Sequence, residues 1–396
     1  MRSILHIDVN SAYLSWTAVE LLKAGGAQDI RRIPSAIAGD PRARHGIILA
    51  KSEPAKQYGI KTAMTLAEAR RRCPGLALYP PDHALYRAYS DRMYALLSEY
   101  TDVIERFSID ECWLDYTGSE KIFGAPLEAA EKIASRMRGE LGFTVNIGVS
   151  VNKLLAKMAS EMEKPDRIHT LFPEEIPEKM WPLSADGLFG VGRSTKDALA
   201  RVGLHTIGDV AHADAGMLRQ LLKPVMGQLV HDHANGVDDT PVIREEARAE
   251  KSIGHSTTTP RDVRTEEEAM RYLLSLSERC GLRLREAGLE AGVVSVELKN
   301  TSFYTYRHQK KQAAPVETTT EIYEQACEIF REMWRGDDLR LIGVSLSYLT
   351  SAGTAAQQLS LFDDPSASER GKALEEMQDE IRKKYGKDAI KRGTLL

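Results

Sequence analysis

Apolar and polar positions alternate along this chain in two rhythms, and they divide it into recognisable elements. Residues 3–9 (SILHIDV) form a short apolar, β-prone run that reads as a buried strand closing on Asp8. Asn10 or Ser11 suits a helix N-cap, and the helix that follows stops at Gly25-Gly26. Residues 33–38 and 46–50 read as strands, and 53–58 and 65–72 as short helices. Residues 82–100 carry Tyr86, Tyr89, Met93, Leu96 and Leu97 at helical spacing, so one face of a long helix is buried. Phe107 and Ile109 then read as one strand running in, and Cys112, Trp113 and Leu114 as the next running out, with Asp110-Glu111 at the turn. An amphipathic helix (127–141), a strand (143–149) and a helix carrying Lys153 and Lys157 (152–162) complete the unit. The resulting β-α-β-β-α-β string predicts a ferredoxin-like layered sheet in which Asp8 and the Asp110-Glu111 turn fall on neighbouring strands.

Beyond Lys164-Pro165 the pattern becomes helical. Leu188-Phe189-Gly190-Val191-Gly192 precedes a helix expected over 197–202, and Gly203 to Asp209 makes a second turn. A Gly-x-Gly turn between short helices exposes backbone N–H groups, which bind phosphate without reading sequence; a plain helical hairpin has the same pattern. Residues 237–250 are polar and charge-rich, as a linker would be. A second α/β unit follows, with strands near 251–258, 293–299, 302–308 and 339–349 and helices over 266–287 and 319–334. The tail holds a small-residue spacer (351–356), then Gln358-Leu359-Ser360-Leu361-Phe362, then a last helix over 369–385. Apolar anchors in a small-residue, acidic tail suit either a linear docking peptide or a segment packing back on the protein.

Composition narrows the class. At 396 residues the chain should hold two to four domains. It is 42% hydrophobic and 28% charged, ordinary for a soluble protein. No apolar run reaches membrane-spanning length, and the start turns polar too early for a signal peptide. The four cysteines, Cys73, Cys112, Cys280 and Cys327, have no zinc or redox spacing and fit unpaired thiols in a cytoplasm. The net charge of −4 gives no global sign of a nucleic-acid partner, so any such role rests on local patches. One such patch is Arg42, Arg44, Lys51, Lys56 and Lys61.

Asp8, Asp110 and Glu111 carry the candidate chemistry. Adjacent carboxylates suit an exposed hairpin tip as well as a site, and a lone Asp suits a turn. Held together on adjacent strand ends they repel unless a cation lies between them. Oxygen ligands without a His or Cys cluster favour a hard cation such as magnesium. Two such ions about 3.5–4 Å apart can clamp a displacement at phosphorus. Lys56 and Lys164 are candidates for reaching a triphosphate.

These pieces, in their joint order, resemble the Y-family DNA polymerases of the DinB, or DNA polymerase IV, type. The matching residues are Asp8-Val9-Asn10-Ser11-Ala12-Tyr13, Ser108-Ile109-Asp110-Glu111, Gly148 to Lys153 with Ala156-Lys157, Lys164-Pro165, Gly190-Val191-Gly192, Lys251-Ser252-Ile253-Gly254 and Gln358 to Phe362. The resemblance implies an α/β right-hand polymerase: palm (1–20 and 75–165), fingers (21–74), helix–hairpin–helix thumb (166–236), linker (237–250), little finger (251–350) and tail (351–396). It implies error-prone, template-directed extension of a primer across damaged DNA by a monomer in the bacterial cytoplasm. Asp8, Asp110 and Glu111, with the Val9 carbonyl, would hold two Mg2+ ions. Tyr13 would exclude the ribose 2′-hydroxyl, and Lys164 and Lys56 would contact the incoming dNTP. Gly190, Gly192, Lys153 and Lys157 would contact primer–template DNA. Gln358, Leu359, Leu361 and Phe362 would dock on the sliding-clamp β subunit. Where family members commonly carry Tyr-x-x-Arg in the fingers, this chain has Ser52-Glu53-Pro54-Ala55-Lys56, a point charge in place of a bidentate fork. Asp166-Arg167 likewise replaces a commoner Asn-Gly, and Ala12 a commoner aromatic. The alternatives are a non-catalytic, clamp-bound accessory protein with a palm fold, and a nucleotide cyclase on a similar sheet.

Overall fold

The computed structural model describes residues 2–40, 46–244, 250–353, 365–386, 389–390 and 392–393. It divides into two compact units, the first built on Met1–Gly39 and Gly46–Arg248 and the second on Ala249–Leu396. Among the described residues no helix is long and apolar enough to cross a membrane.

In chain order the first unit runs β1 (Ile4–Val9), α1 (Ala12–Lys23), β2 (Ser35–Ala38), β3 (Ile48–Lys51), α2 (Glu53–Gln57), α3 (Leu66–Arg72), β4 (Ala77–Tyr79), α4 (His83–Leu97), β5 (Ile104–Arg106), β6 (Glu111–Asp115), α5 (Glu120–Phe123), α6 (Pro126–Arg136), β7 (Val145–Ser150), α7 (Lys153–Ser160) and β8 (Ile168–Thr170). The helices α8 (Ile176–Lys179), α9 (Arg193–Arg201), α10 (Ile207–His212), α11 (Ala215–Leu222) and α12 (Pro224–Ala234) follow. The main sheet has the order β5-β6-β1-β7-β8. Its first four strands are antiparallel to their neighbours, the ferredoxin-like order that the sequence predicts, and β8 is added parallel to β7. The central strand β1 is buried at every position, because α1, α4 and α6 cover one face and α7 the other. Stacked, tilted and edge-on ring contacts among Trp16, Tyr86, Tyr89 and Phe143 fill the helix–sheet layer.

Four features depart from the sequence reading. Phe107 to Asp110 is turn, not strand: the Phe107 and Ser108 amides both donate to the Glu111 carbonyl (2.9 and 3.3 Å), which ends β5 at Arg106. The strands β4 and β8 are three residues each, too short to show an alternation. β4 pairs with β2 in a separate sheet of order β3-β2-β4, so Ala77–Tyr79 belongs with the small segment before it rather than with the main sheet. The helix expected from 197 begins at Arg193, with Gly192 at its N-cap.

The fourth departure is the supposed linker, whose first half is a strap on the main sheet. Val242 is buried with Ile4, Trp113 and Ala156, against Phe189. The Ile243 amide donates to Glu105 (2.8 Å), the Asp238 carboxylate accepts from the Leu154 amide (3.1 Å), and Arg244 pairs with Asp102. A polar composition conceals this, because one valine and a few polar bonds hold the segment.

The second unit is β9 (Ser252–Val263), α13 (Glu266–Glu286), β10 (Leu289–Asn300), β11 (Thr305–Val316), α14 (Thr319–Met333), β12 (Leu339–Ser351) and α15 (Pro365–Tyr385). Its sheet order is β11-β10-β12-β9, antiparallel throughout. The same β-α-β-β-α-β string therefore closes in a different order from the first unit. α13 and α14 pack on one face around Phe330, Leu273 and Ile342. Ser295, Ser345 and Gln309 lie on the other face, with Arg307 and Lys311 along the edge strand.

Candidate active site

The register of β1 against β6 sets Asp8 directly opposite Glu111. The next residue along is tied in the same way, since the Val9 amide donates to the Asp110 carbonyl (3.1 Å). Asn10 fixes the far side: its carboxamide bonds Asn146 (3.0 Å), Thr144 (3.0 Å) and the Asp166 amide (2.9 Å). The chain then enters α1 through Ser11, which has left-handed backbone (φ 48°) and no capping bond from its side chain. The expected side-chain N-cap is therefore absent; the Ser11 carbonyl instead accepts from the Ser15 amide (2.9 Å).

These residues line a cleft of about 490 Å³ that also receives Tyr13, Lys51, Glu53, Lys56, Glu161 and Lys164. Carboxylate oxygens of Asp8, Glu111 and Glu161 all lie within 4.8 Å of one another. Glu161 is absent from the sequence-based set, although its i+4 spacing from Lys157 and its place before Lys164 were available signals. Asp110 sits at the same cleft, but its carboxylate accepts a hydrogen bond from Ser108 Oγ (2.6 Å) rather than joining the three.

Two lysines neutralise part of this charge. Lys164 Nζ bridges Asp8 (2.9 Å) and Glu161 (3.0 Å). Lys157 Nζ bridges Glu111 (2.9 Å) and Glu161 (3.5 Å). Burial pushes the Asp8 carboxyl up to about 8 against the pull of Lys164, with Glu161 and Glu111 adding to the push. Burial also raises Asp110, and the charge of Glu111 adds to it. Glu161, though partly buried, is held below its ordinary value by Lys164 and Lys157. A buried carboxyl forced towards its neutral form, with oxygens converging from two others, is the arrangement that a cation relieves. The donor set is all oxygen, which fits a hard divalent ion.

Tyr13 forms one wall. Its ring stacks on Tyr86 (4.2 Å, 12° between planes) and meets the edge of His83 (5.9 Å, 86°). Lys51 and Lys56 come from the small sheet; Lys56 pairs with Glu53 (2.5 Å) and Lys51 bonds Thr62 (2.9 Å). Lys51, noted in the sequence only as part of a basic patch, lines this cleft, and burial, then the charge of Lys56, lowers its pKa.

The residues expected at DNA divide. Gly190 turns the chain with φ +94°, and Gly192 begins α9 without a side-chain cap, leaving first-turn amides for an outside acceptor. Lys153 and Lys157 differ from expectation. Lys153 is partly buried, with its ammonium over the Trp113 ring and paired with Glu105 (2.8 Å), and Lys157 pairs with Glu111 as described. In this structure both ammonium groups are therefore paired with carboxylates of the first unit. Gln358, Leu359, Leu361 and Phe362 lie outside the described residues.

Residues 7–161 match the model of the impB/mucB/samB family, and residues 250–361 match that family's C-terminal domain. The chain is 44% identical over 395 residues to DNA polymerase IV of Clostridium acetobutylicum, covering 100% of this chain and 98% of the relative. It is 37% identical to DNA polymerase IV of Acetivibrio thermocellus (100% and 98% covered) and 34% identical to DNA polymerase IV 1 of Bacillus subtilis (100% and 93%). The fold is similar to that of a Y-family DNA polymerase chimera at a TM-score of 0.77 and 22% identity, over 87% of this chain and 98% of that one. With paired carboxylates opposite each other on β1 and β6 and with this full-length likeness, the chain belongs to the impB/mucB/samB family, among the Y-family DNA polymerases of the DNA polymerase IV type.

Proposed function

We propose that the cleft extends a DNA primer on a template, one deoxynucleotide at a time, in translesion synthesis. The observation that carries this is the pairing of Asp8 with Glu111 across β1 and β6, facing a wall that bears Lys51, Lys56 and Lys164. A site of this kind presents carboxylates for a metal-bound reacting end and cations for a polyphosphate. Asp8, Asp110 and Glu111, with the Val9 carbonyl, would hold Mg2+, two ions per site, whose charge would lower the pKa of the primer 3′-hydroxyl and offset charge on the leaving pyrophosphate.

The chain's own residues do the positioning. Lys164 lies between Asp8 and Glu161 and would contact the triphosphate of an incoming nucleotide. Glu161 steers Lys164 rather than reacting. Tyr13, its ring stacked on Tyr86, would clash with a 2′-substituent on the sugar of the incoming nucleotide. The first-turn amides of α9 would take a phosphate of the duplex backbone. The peptide Gln358-Leu359-Ser360-Leu361-Phe362 would dock the chain on the sliding-clamp β subunit and raise its local concentration at primer ends.

Primer extension with Mg2+ tests the assignment. Glu111→Ala should lower extension by on the order of a thousandfold while primer–template affinity stays near that of the unsubstituted chain. Extension at near-normal rate in that variant would remove the carboxylates from the chemistry.

A further inference from the structure

α15 is docked the wrong way round for an amphipathic helix. Helices on a domain surface ordinarily turn their apolar stripe inward. Here Lys372, Glu375, Asp379 and Arg382 face the second unit, while Leu374, Met377 and Tyr385 point outward at 52%, 56% and 67% exposure.

A lattice of charges imposes this orientation. Glu375 is 3% exposed and accepts from Arg285 (2.5 Å), from Arg392 (2.9 Å) and from the Thr319 amide that opens α14 (2.8 Å). Asp379 takes the other edge of the Arg285 guanidinium (2.8 Å). Glu278 on α13 accepts from Arg382 (3.1 Å) and Arg392 (3.2 Å), and Lys372 pairs with Glu317. Turning the helix to bury its apolar row would strand Glu375, Asp379 and Arg382 without partners, a heavy cost for buried charge. The lattice thus fixes which face is offered outward.

Sequence continuity says what that face meets. The second family match ends at residue 361, and α15 begins at Pro365, three residues after Phe362. Three residues span at most about 11 Å. Leu374 lies nine helical residues further on, roughly 14 Å. Any protein that grips residues 358–362 therefore has its surface within about 25 Å of the apolar row, and an ordinary interface of about 800 Å² per partner is roughly 30 Å across.

We propose that the outward face of α15 (Leu374, Met377 and Tyr385) is a second contact for the same partner that takes the 358–362 peptide, held in register by the Arg285–Glu375 lattice. The proposal rests on the reading of that peptide as a sliding-clamp docking segment. The partner surface it fits is an apolar strip beside the peptide groove, bordered by both charge signs to match Glu376, Glu380, Lys383 and Lys384.

The test is the dissociation constant of the full-length chain for its cognate sliding clamp, measured by calorimetry. Leu374→Glu with Met377→Glu should weaken binding about tenfold, and Tyr385→Ser by a smaller factor, with thermal unfolding and clamp-free primer extension unchanged. Arg285→Ala should weaken binding too, and its effect should not add to that of the Leu374/Met377 pair, because both act through the same face. Gln358→Ala with Leu361→Ala and Phe362→Ala should abolish binding. Loss of binding in the peptide variant but not in the Leu374/Met377 variant would overturn the second contact and leave the peptide reading standing. Full binding in the peptide variant would overturn both. A self-associating chain that the Leu374/Met377 pair makes monomeric would also overturn the proposal, since the face would then join two copies of this chain.

Discussion

Each candidate side chain in the cleft is held by a specific neighbour. Asp8 is set by its register partner Glu111, Asp110 by Ser108, Tyr13 by Tyr86, and Lys164 by Asp8 and Glu161. Two expectations follow at this scale. In the presence of chelator, Asp8 keeps its proton to about pH 8 in the folded chain but releases it near 3.8 when unfolded. The folded state thus binds the extra proton between those values, so stability falls as pH rises from about 4 to 8 and levels off beyond. Melting temperatures at pH 5 and pH 8 should fall further for the unsubstituted chain than for Asp8→Asn. Mg2+ at about a hundred times its Kd should restore about 2.7 kcal/mol at the higher pH. Tyr13→Ala should leave deoxynucleotide addition measurable while discrimination against ribonucleotides drops roughly 10- to 100-fold, read from single-nucleotide kinetics with each sugar. Unchanged discrimination would place the sugar contact elsewhere.

Among the elements, β1 and α7 do the most. β1 carries Asp8 at its end, and α7 brings Lys157 under Glu111 and leads into Glu161 and Lys164. The two meet through β7 at Gly148, where a Cβ would come within 1.9 Å of the Ala156 carbonyl oxygen and 2.6 Å of the Ser160 nitrogen. Backbone atoms cannot yield to that extent, so only glycine lets α7 lie so close. Gly148→Ala should destabilise the first unit by at least about 1–3 kcal/mol. It should lower extension beyond what the melting shift accounts for, because α7 carries charges into the cleft. A variant with normal melting and normal extension would show that the helix can slide without consequence. The strap formed by 237–244 works at the same scale: it returns the chain from α12 to the main sheet through Val242, Asp238 and Glu105.

As a whole molecule the chain carries two β-α-β-β-α-β units with separate cores. Calorimetry should therefore resolve two unfolding transitions. Gly148→Ala should move one of them. Phe330→Ala, which empties a fully buried position in the second unit, should move the other by about 3–5 kcal/mol. A single transition shifted equally by both variants would mean that the units unfold together.

Much of this was already legible in the order of residues. The main strands and helices could be read because their apolar positions recur over six or more residues. Asp8, Asp110 and Glu111 stood out as candidates because strand ends and a turn are local features, whereas Tyr13 and the role of Lys164 came from the resemblance to Y-family polymerases. What the local pattern could not carry was decided by tertiary contact. Glu161 joined the carboxylates only because α7 crosses beneath β1 and β7. Lys153 and Lys157 pair with Glu105 and Glu111, partners that only the packed chain brings within reach. The supposed linker became a strap, and α15 was turned polar side inward. In each case the deciding partner lies tens of residues or more away in sequence, where periodicity carries no information and only the packed chain brings charge to charge.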